Sequence, residues 1–182
     1  MFRLFLYLCL IELAVSCENN LSDVQRVTFN PKSPDESIIN FKMVYNDSGF
    51  AKVAMYARYA ETFHSPVHIT HLRDSLRVNF FGSNGEIIST LTAKYGNINY
   101  SKNQLIVRDS VRLYNYKKKQ TLKTEVLYWR QRDSMIYTHK KVVIVSPKGY
   151  FLGEGLKTKQ DFSRYEILKP RGNVLLEKEE EL

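Results

Sequence analysis

Apolar and polar residues alternate along most of the chain after residue 50. A period of two places successive side chains on opposite faces of a strand, so the pattern predicts β-structure with one apolar face. The clearest examples are apolar residues separated by even numbers of positions, which would share one face of a strand: Leu105, Val107, Val111 and Leu113, and then Val142 and Ile144. Residues 51–63 contain good helix formers, but their alignment with residues 91–100 favours a strand there too.

Turn-forming clusters separate the predicted strands at spacings typical of hairpins. They are rich in Asn, Asp, Gly, Ser and Pro, which favour turns for distinct backbone reasons. The clusters lie at residues 46–49, 82–85, 101–103 and 146–149. The domain is therefore predicted to be almost entirely β.

Two segments repeat: RDSLRVNF at 73–80 and RDSVRLYN at 108–115. Their upstream ends also match, since ARYA at 57–60 resembles AKYG at 93–96. Two matched ends with a variable middle indicate a duplicated supersecondary unit. Continued along the chain, the alignment gives four units that fill residues 51–176.

The repeat explains why an Asp stands in the middle of an apolar run. Equivalent positions of the four units hold Asp74-Ser75, Asp109-Ser110, Lys140-Lys141 and Gly172-Asn173. Most of these pairs favour turns, which predicts a kink or bulge where each strand turns a corner rather than acid chemistry. A third RDS at 132–134 is out of phase and is predicted to be an ordinary turn.

Stacked, corner-bent hairpins predict a twisted antiparallel sheet that is folded lengthwise into an elongated trough. One apolar face points inward, and strands at both ends lack a neighbour. Such open edges are candidate docking surfaces for another sheet.

The first residues have the pattern of a secretory signal peptide, predicted over 1–16. Arg3 precedes an apolar stretch that is much shorter than the roughly 20 residues of a spanning helix. Small residues before Cys17 predict lipidation of that cysteine, with 17–37 as lipidated cysteine and tether. Residues 38–176 are predicted to form one domain, and 177–182 an acidic tail.

Composition narrows the classes of partner. The net charge is +8, but export argues against nucleic acid. Lipid phosphates or an anionic membrane surface are the favoured targets, although solvated strand faces and loop tips also explain many of these charges. Cys9 leaves with the signal peptide and lipidation consumes Cys17, so no disulfide is expected to hold the domain.

Several segments resemble the LptC family, the periplasmic component of the lipopolysaccharide export ABC transporter. The resemblance spans roughly 40–176. It is carried by T-E-x-L at 124–127, I-x-T-x-x-x-V at 136–142 and G-x-G-L at 153–156. It implies a β-jellyroll at the periplasmic face of the inner membrane, although an outer-membrane anchor stays open.

The resemblance also implies the partners. The N-terminal edge would meet the membrane subunits of the transporter, and the C-terminal edge a periplasmic bridge protein of the same fold. Gly153, Gly155 and Leu156 would lie near that second edge. Lipopolysaccharide is the implied ligand, and no cofactor is implied.

The trough lining is expected to come from alternate residues of each strand, those that share the inward face. Burying acyl methylenes there would contribute about 0.8 kcal/mol each. The candidate lining residues are Leu105, Val107, Val111, Leu113, Leu127, Trp129, Ile136, Val142 and Ile144. An ordinary packed core would use the same residues.

Three other functions compete with transport. His64, His68 and His71 could suggest a metal, but on a strand the first two share a face that His71 does not. An enzyme is disfavoured because the chain has no G-x-S-x-G nucleophile motif. A non-transport outer-membrane lipoprotein, acting as a binding or structural β module, remains the alternative.

Overall fold

The computed structural model describes residues 32–47 and 49–171. The predicted signal peptide, Cys17 and the acidic tail lie outside the described residues. The strands are β1 (Glu36–Asp47), β2 (Phe50–Phe63), β3 (Ile69–Phe81), β4 (Ile87–Ala93), β5 (Tyr95–Asn99), β6 (Gln104–Asn115), β7 (Gln120–Arg130), β8 (Met135–Ser146), β9 (Gly149–Lys159) and β10 (Tyr165–Arg171). The segment with helix formers is a strand, β2, and the four predicted turn clusters coincide with junctions between consecutive strands, so both predictions are confirmed.

The ten strands form one antiparallel sheet. Strands follow one another in chain order, except that β4 and β5 both lie between β3 and β6. They behave as one long strand interrupted at Lys94. Among the described residues, β1 pairs only with β2 and β10 only with β9, so these two strands are the edges of the sheet.

The two repeated Asp-Ser pairs are the predicted corners. Asp74 and Ser75 have φ values of 57° and 72°, and Asp109 and Ser110 have 65° and 57°. Asp74 and Ser75 oppose one residue of β2, and the second pair opposes only Glu125 of β7. Two residues against one define a β-bulge, which bends its strand.

The other corners correct the predicted alignment in part. In β8 the two unpaired residues are His139 and Lys140, because Lys141 pairs with Glu154 of β9. Neither has a positive φ; the left-handed residue is the one that opposes them, Gly155, at φ +78°. The predicted pair Lys140-Lys141 was thus placed one residue too far along the chain. Gly172-Asn173 lies outside the described residues.

A single line of corners therefore crosses the sheet and divides it into two parts. Half-sheet A contains residues 69–73, 95–99, 104–108, 126–130, 135–138 and 156–159. Half-sheet B contains residues 76–81, 87–93, 111–115, 120–124, 142–146 and 149–153. Each central strand contributes to both parts, because its bulge lies near its middle.

The two half-sheets pack face to face. Phe80 of half-sheet B meets Trp129 of half-sheet A edge to face, with ring centroids 5.4 Å apart. In the flat sheet these residues would be separated by the strands between β3 and β7. One cluster of buried side chains fills the space between the halves. Burying a large apolar side chain contributes about 1.5–3 kcal/mol to the free energy of folding, so this cluster can stabilise the domain by packing.

The third RDS segment is an ordinary turn, as predicted. Gln131–Asp133 form one turn of 3₁₀ helix between β7 and β8, and Ser134 follows with φ 54°. The guanidinium of Arg130 donates to the Asp133 carboxylate, with a shortest distance of 2.6 Å. These hydrogen bonds, together with the opposite charge, hold the pKa of the Asp133 carboxyl below its ordinary value.

Candidate lipid-binding trough and sheet edges

The nine candidate lining residues all lie on the inner face of the folded sheet. Each is at most 2% exposed, and all belong to the same buried cluster. They come from β6, β7 and β8 and from both half-sheets. In this arrangement they pack as a core, so a lipid could reach them only if the half-sheets separate. Their contact with lipid stays a prediction.

The inner face is larger than the sequence reasoning indicated. Strands β2 to β4 supply as much of the buried cluster as the central strands do. The largest of these additional residues are Met55, Leu72, Leu76, Phe80 and Leu91. Each continues the alternation of its own strand, so the same period-of-two argument could have found them.

Residues 160–162 cross from half-sheet A to half-sheet B, and we call this segment the strap. Ser89, Asn115 and Gln120 are buried and lie on three neighbouring strands of half-sheet B. Their side chains donate to the carbonyl oxygens of residues 160, 161 and 162, in that order. The strap is therefore held by side chains across the free ends of the two halves.

Phe162 closes the interior beneath the strap. Its side chain is fully buried and lies near Tyr165, with ring centroids 5.4 Å apart. Its backbone has a φ of 50°, which a bulky residue rarely adopts. Neither periodicity nor a motif marks this loop residue, so the sequence reasoning missed it.

A surface pocket of about 530 Å³ lies at the corner line near the β1 edge. Its apolar wall includes Phe41, Ala57 and Ala93, the three buried apolar residues with the highest exposure, 6–9%. Arg58 and Arg77 line the same pocket. The apolar interior thus comes closest to solvent here beside two cations.

The predicted docking residues lie one strand inside the C-terminal edge. Gly153, Gly155 and Leu156 are all buried in β9, and β10 covers them. A Cβ on Gly153 would lie 2.2 Å from the Ile167 Cγ2, and one on Gly155 would lie 2.9 Å from the Leu168 Cδ1. An incoming strand would therefore meet β10 first. The docking role stays a prediction, and the glycines allow β10 to lie close.

The histidines contact different groups. His68 stacks between His64 and Tyr100, at centroid distances of 4.7 and 4.1 Å. His71 instead bonds through Nδ1 to the Asn97 Oδ1 at 2.7 Å. Across residues 32–47 and 49–171, no group of three His, Cys, Asp or Glu side chains is placed to hold a metal ion.

Asp35 fixes the start of the described chain to the end of β2. Its carboxylate accepts a 2.7 Å hydrogen bond from the backbone N–H of His64. This bond is the main cause that lowers the pKa of the Asp35 carboxyl. The contact orders the entrance to β1 without forming a catalytic arrangement.

The predicted β-jellyroll has a bent antiparallel sheet with an apolar interior and open edges. The described residues have this architecture, because β1 and β10 each pair on one side only within them. A family model described as "Lipopolysaccharide-assembly, LptC-related" matches residues 4–172. The chain belongs to this LptC-related family. A search of curated proteins gave no match.

Membership of the family supports a function related to lipopolysaccharide transport. It also implies a periplasmic location in association with the inner membrane. Within the described part of the chain, no helix has the length and apolar character needed to cross a membrane.

Proposed function

We propose that this protein receives lipopolysaccharide from the membrane subunits of the export transporter and passes it to a periplasmic bridge protein of the same fold. The observation that carries this proposal is the continuous buried face between the edge strands β1 and β10. In a family that serves lipopolysaccharide transport, such a face offers one apolar path from edge to edge.

The acyl chains would occupy the space between the half-sheets. The nine lining residues would contact them once the halves separate, and the buried acyl methylenes would take the place of side chains that pack together in the closed form. Each methylene removed from water contributes about 0.8 kcal/mol, so several chains can offset the cost of parting a packed interior.

The two edges would bind different partners. On β1, Ile39 is 74% exposed, and Phe50 at the start of β2 is 62% exposed. On β10, Leu168 is 37% exposed beside the glycine Gly155 of β9. Apolar side chains on an unpaired strand favour addition of another strand, because backbone hydrogen bonds and side-chain burial form together. We assign β1 to the transporter and β10 to the bridge protein.

Lipidation of Cys17 would keep the domain at the membrane. This residue lies outside the described part of the chain, so the anchor rests on the sequence pattern alone. Residues 18–35 would span the distance between the bilayer and β1, and fully extended they would reach about 60 Å. That length allows the β1 edge to meet a membrane-embedded partner.

Site-specific photo-crosslinking tests both edges. A photoreactive amino acid at Ile39 is expected to capture a transporter membrane subunit, and one at Leu168 the same-fold bridge protein. Tyr95, which is 37% exposed in the middle of the sheet, is the matched control. Exchanged partners would reverse the assigned direction, and capture at Tyr95 alone would contradict docking at the edges.

A further inference from the structure

A second pocket, of about 380 Å³, opens where the free ends of the half-sheets approach each other near β1. Val53 of β2 and Trp129 of β7 line it, and both belong to the buried cluster. The remaining lining is mostly polar and comes from the ends of β1, β2 and β3, from the turns after β3 and β7, and from the strap. Two residues of the buried cluster thus form the apolar part of the pocket wall, and the rim is polar.

Trp129, which lines this pocket, carries a buried hydrogen-bond donor. Its side chain is 2% exposed, and the indole Nε1–H has no hydrogen-bond acceptor among the described residues. Buried N–H groups nearly always have a partner, because leaving one unsatisfied is costly. Because the Nε1 atom is buried in this closed arrangement, a ligand oxygen could accept its hydrogen bond only once the half-sheets separate.

The rim of the pocket has two cationic side chains from different parts of the fold. Lys52 extends from β2, and Arg132 lies in the turn after β7. Asp47 is the one acidic residue of the lining, which leaves the lining with a net positive charge. Lys and Arg around a recessed donor are typical of phosphoryl recognition, in which charge-assisted hydrogen bonds are the strongest.

From this juxtaposition we propose that the pocket binds a phosphoryl group on the sugar headgroup of a lipid whose acyl chains enter the adjoining interior. We call it the headgroup pocket. Lys52 and Arg132 pair with the phosphoryl oxygens, and the Trp129 indole N–H donates to a headgroup oxygen. The inference rests on the proposed function, because it places the headgroup of the transported lipid.

The test compares diphosphoryl lipid A with lipid A from which phosphatase has removed both groups. The unmodified full chain is expected to bind the phosphorylated form at least about tenfold more tightly, a ratio that corresponds to about 1.4 kcal/mol. Lys52→Gln and Arg132→Gln should each lower that ratio severalfold. Trp129→Phe keeps a ring in place while removing the N–H, and it should lower the ratio as well.

Matched controls separate recognition from packing. Lys123→Gln removes a cation from the outer face of β7, and Tyr128→Phe alters an aromatic residue next to Trp129 on the opposite face. Both should keep the wild-type ratio. A Trp129→Phe protein that loses affinity for both lipids equally would show a packing role only and would overturn the donor assignment.

The remaining outcomes distinguish this inference from the proposed function. Equal binding of the two lipids by the unmodified protein overturns the headgroup pocket and leaves transport intact. If neither lipid binds, the proposed transport function is overturned. Glucosamine 1-phosphate then tests the headgroup pocket by itself: binding of this compound that Lys52→Gln weakens would support a phosphoryl site for a free ligand. No binding of this compound either overturns the pocket too.

Discussion

The Ser89 hydroxyl donates a 2.6 Å hydrogen bond to the carbonyl oxygen of Gln160, which lies 71 residues further along the chain. Ser89 is fully buried in half-sheet B, whereas Gln160 follows the last strand of half-sheet A. This contact and its two neighbours from Asn115 and Gln120 tie the free ends of the halves together through the strap.

Removing the Ser89 hydroxyl should loosen the strap. In Ser89→Ala the Gln160 carbonyl loses its buried donor, which costs about 1–3 kcal/mol of unfolding free energy. Hydrogen exchange of the amides in 160–164 should accelerate. Ser146→Ala, which removes a hydroxyl bond within a turn, is the control and should cost less. Equal effects of the two changes would show that the strap contact has no special weight.

Asp109 should tolerate Gly and reject Val. Its φ of 65° lies in the left-handed region, where an L-residue without a short polar side chain loses about 1–2 kcal/mol. Urea unfolding is expected to show Asp109→Gly close to wild type and Asp109→Val destabilised by about that amount. Lys123→Val, at an extended position of β7, controls for β-branching. Equal stability of the Asp109→Val and Asp109→Gly proteins would contradict the corner assignment.

The corners were predictable because the sequence repeats them. RDSLRVNF and RDSVRLYN occupy equivalent positions of the repeat, and turn-forming residues inside an apolar run conflict with a straight strand unless a bulge accommodates them. The corner in β8 was misplaced by one residue, since a Lys pair has no such preference. Its left-handed residue is Gly155 on the neighbouring strand, and single-strand patterns do not reveal register.

The trough residues were predictable as one face but not as a site. Alternation identified the parity of Val107 and Ile144 because burial follows the period of two. The sequence predicted a sheet folded lengthwise with its apolar face inward, but it did not reveal which residues meet across the fold, because contacts such as Phe80 with Trp129 depend on how far each bulge bends its strand. Phe162 and the strap depend on loop geometry and leave no periodic pattern.

Gly153 should be required for the C-terminal edge. A Cβ there would meet Ile167 Cγ2 at 2.2 Å and the Lys169 carbonyl oxygen at 2.9 Å, so Gly153→Ala must push β10 outward. We expect faster hydrogen exchange in β10 and weaker capture of the same-fold partner. Gly82→Ala is the control, because the nearest atoms to the added methyl belong to the Glu86 side-chain carboxylate rather than to a neighbouring strand. Unchanged exchange in β10 after Gly153→Ala would contradict this packing.

The turn after β7 should weaken at low pH. Hydrogen bonds from Arg130 lower the pKa of the Asp133 carboxyl in the folded state. Their contribution to the stability of the folded state is therefore present above the ordinary Asp pKa of 3.8 and is lost as pH falls through the lowered pKa. The Asp133 carboxylate resonance should therefore titrate at higher pH in Arg130→Gln. An unchanged NMR titration would show that the ion pair does not form in solution.

We propose that lipopolysaccharide travels along the inner face of the folded sheet. Phe151 and Tyr150 test it most directly, because they are adjacent aromatic residues of β9: Phe151 packs against the buried cluster and Tyr150 is 49% exposed. A photoreactive amino acid at each position is compared during ATP-driven release of lipopolysaccharide from transporter-containing vesicles. We expect a lipopolysaccharide adduct at 151 and none at 150; no adduct at 151, or equal adducts at both positions, would contradict passage along the inner face.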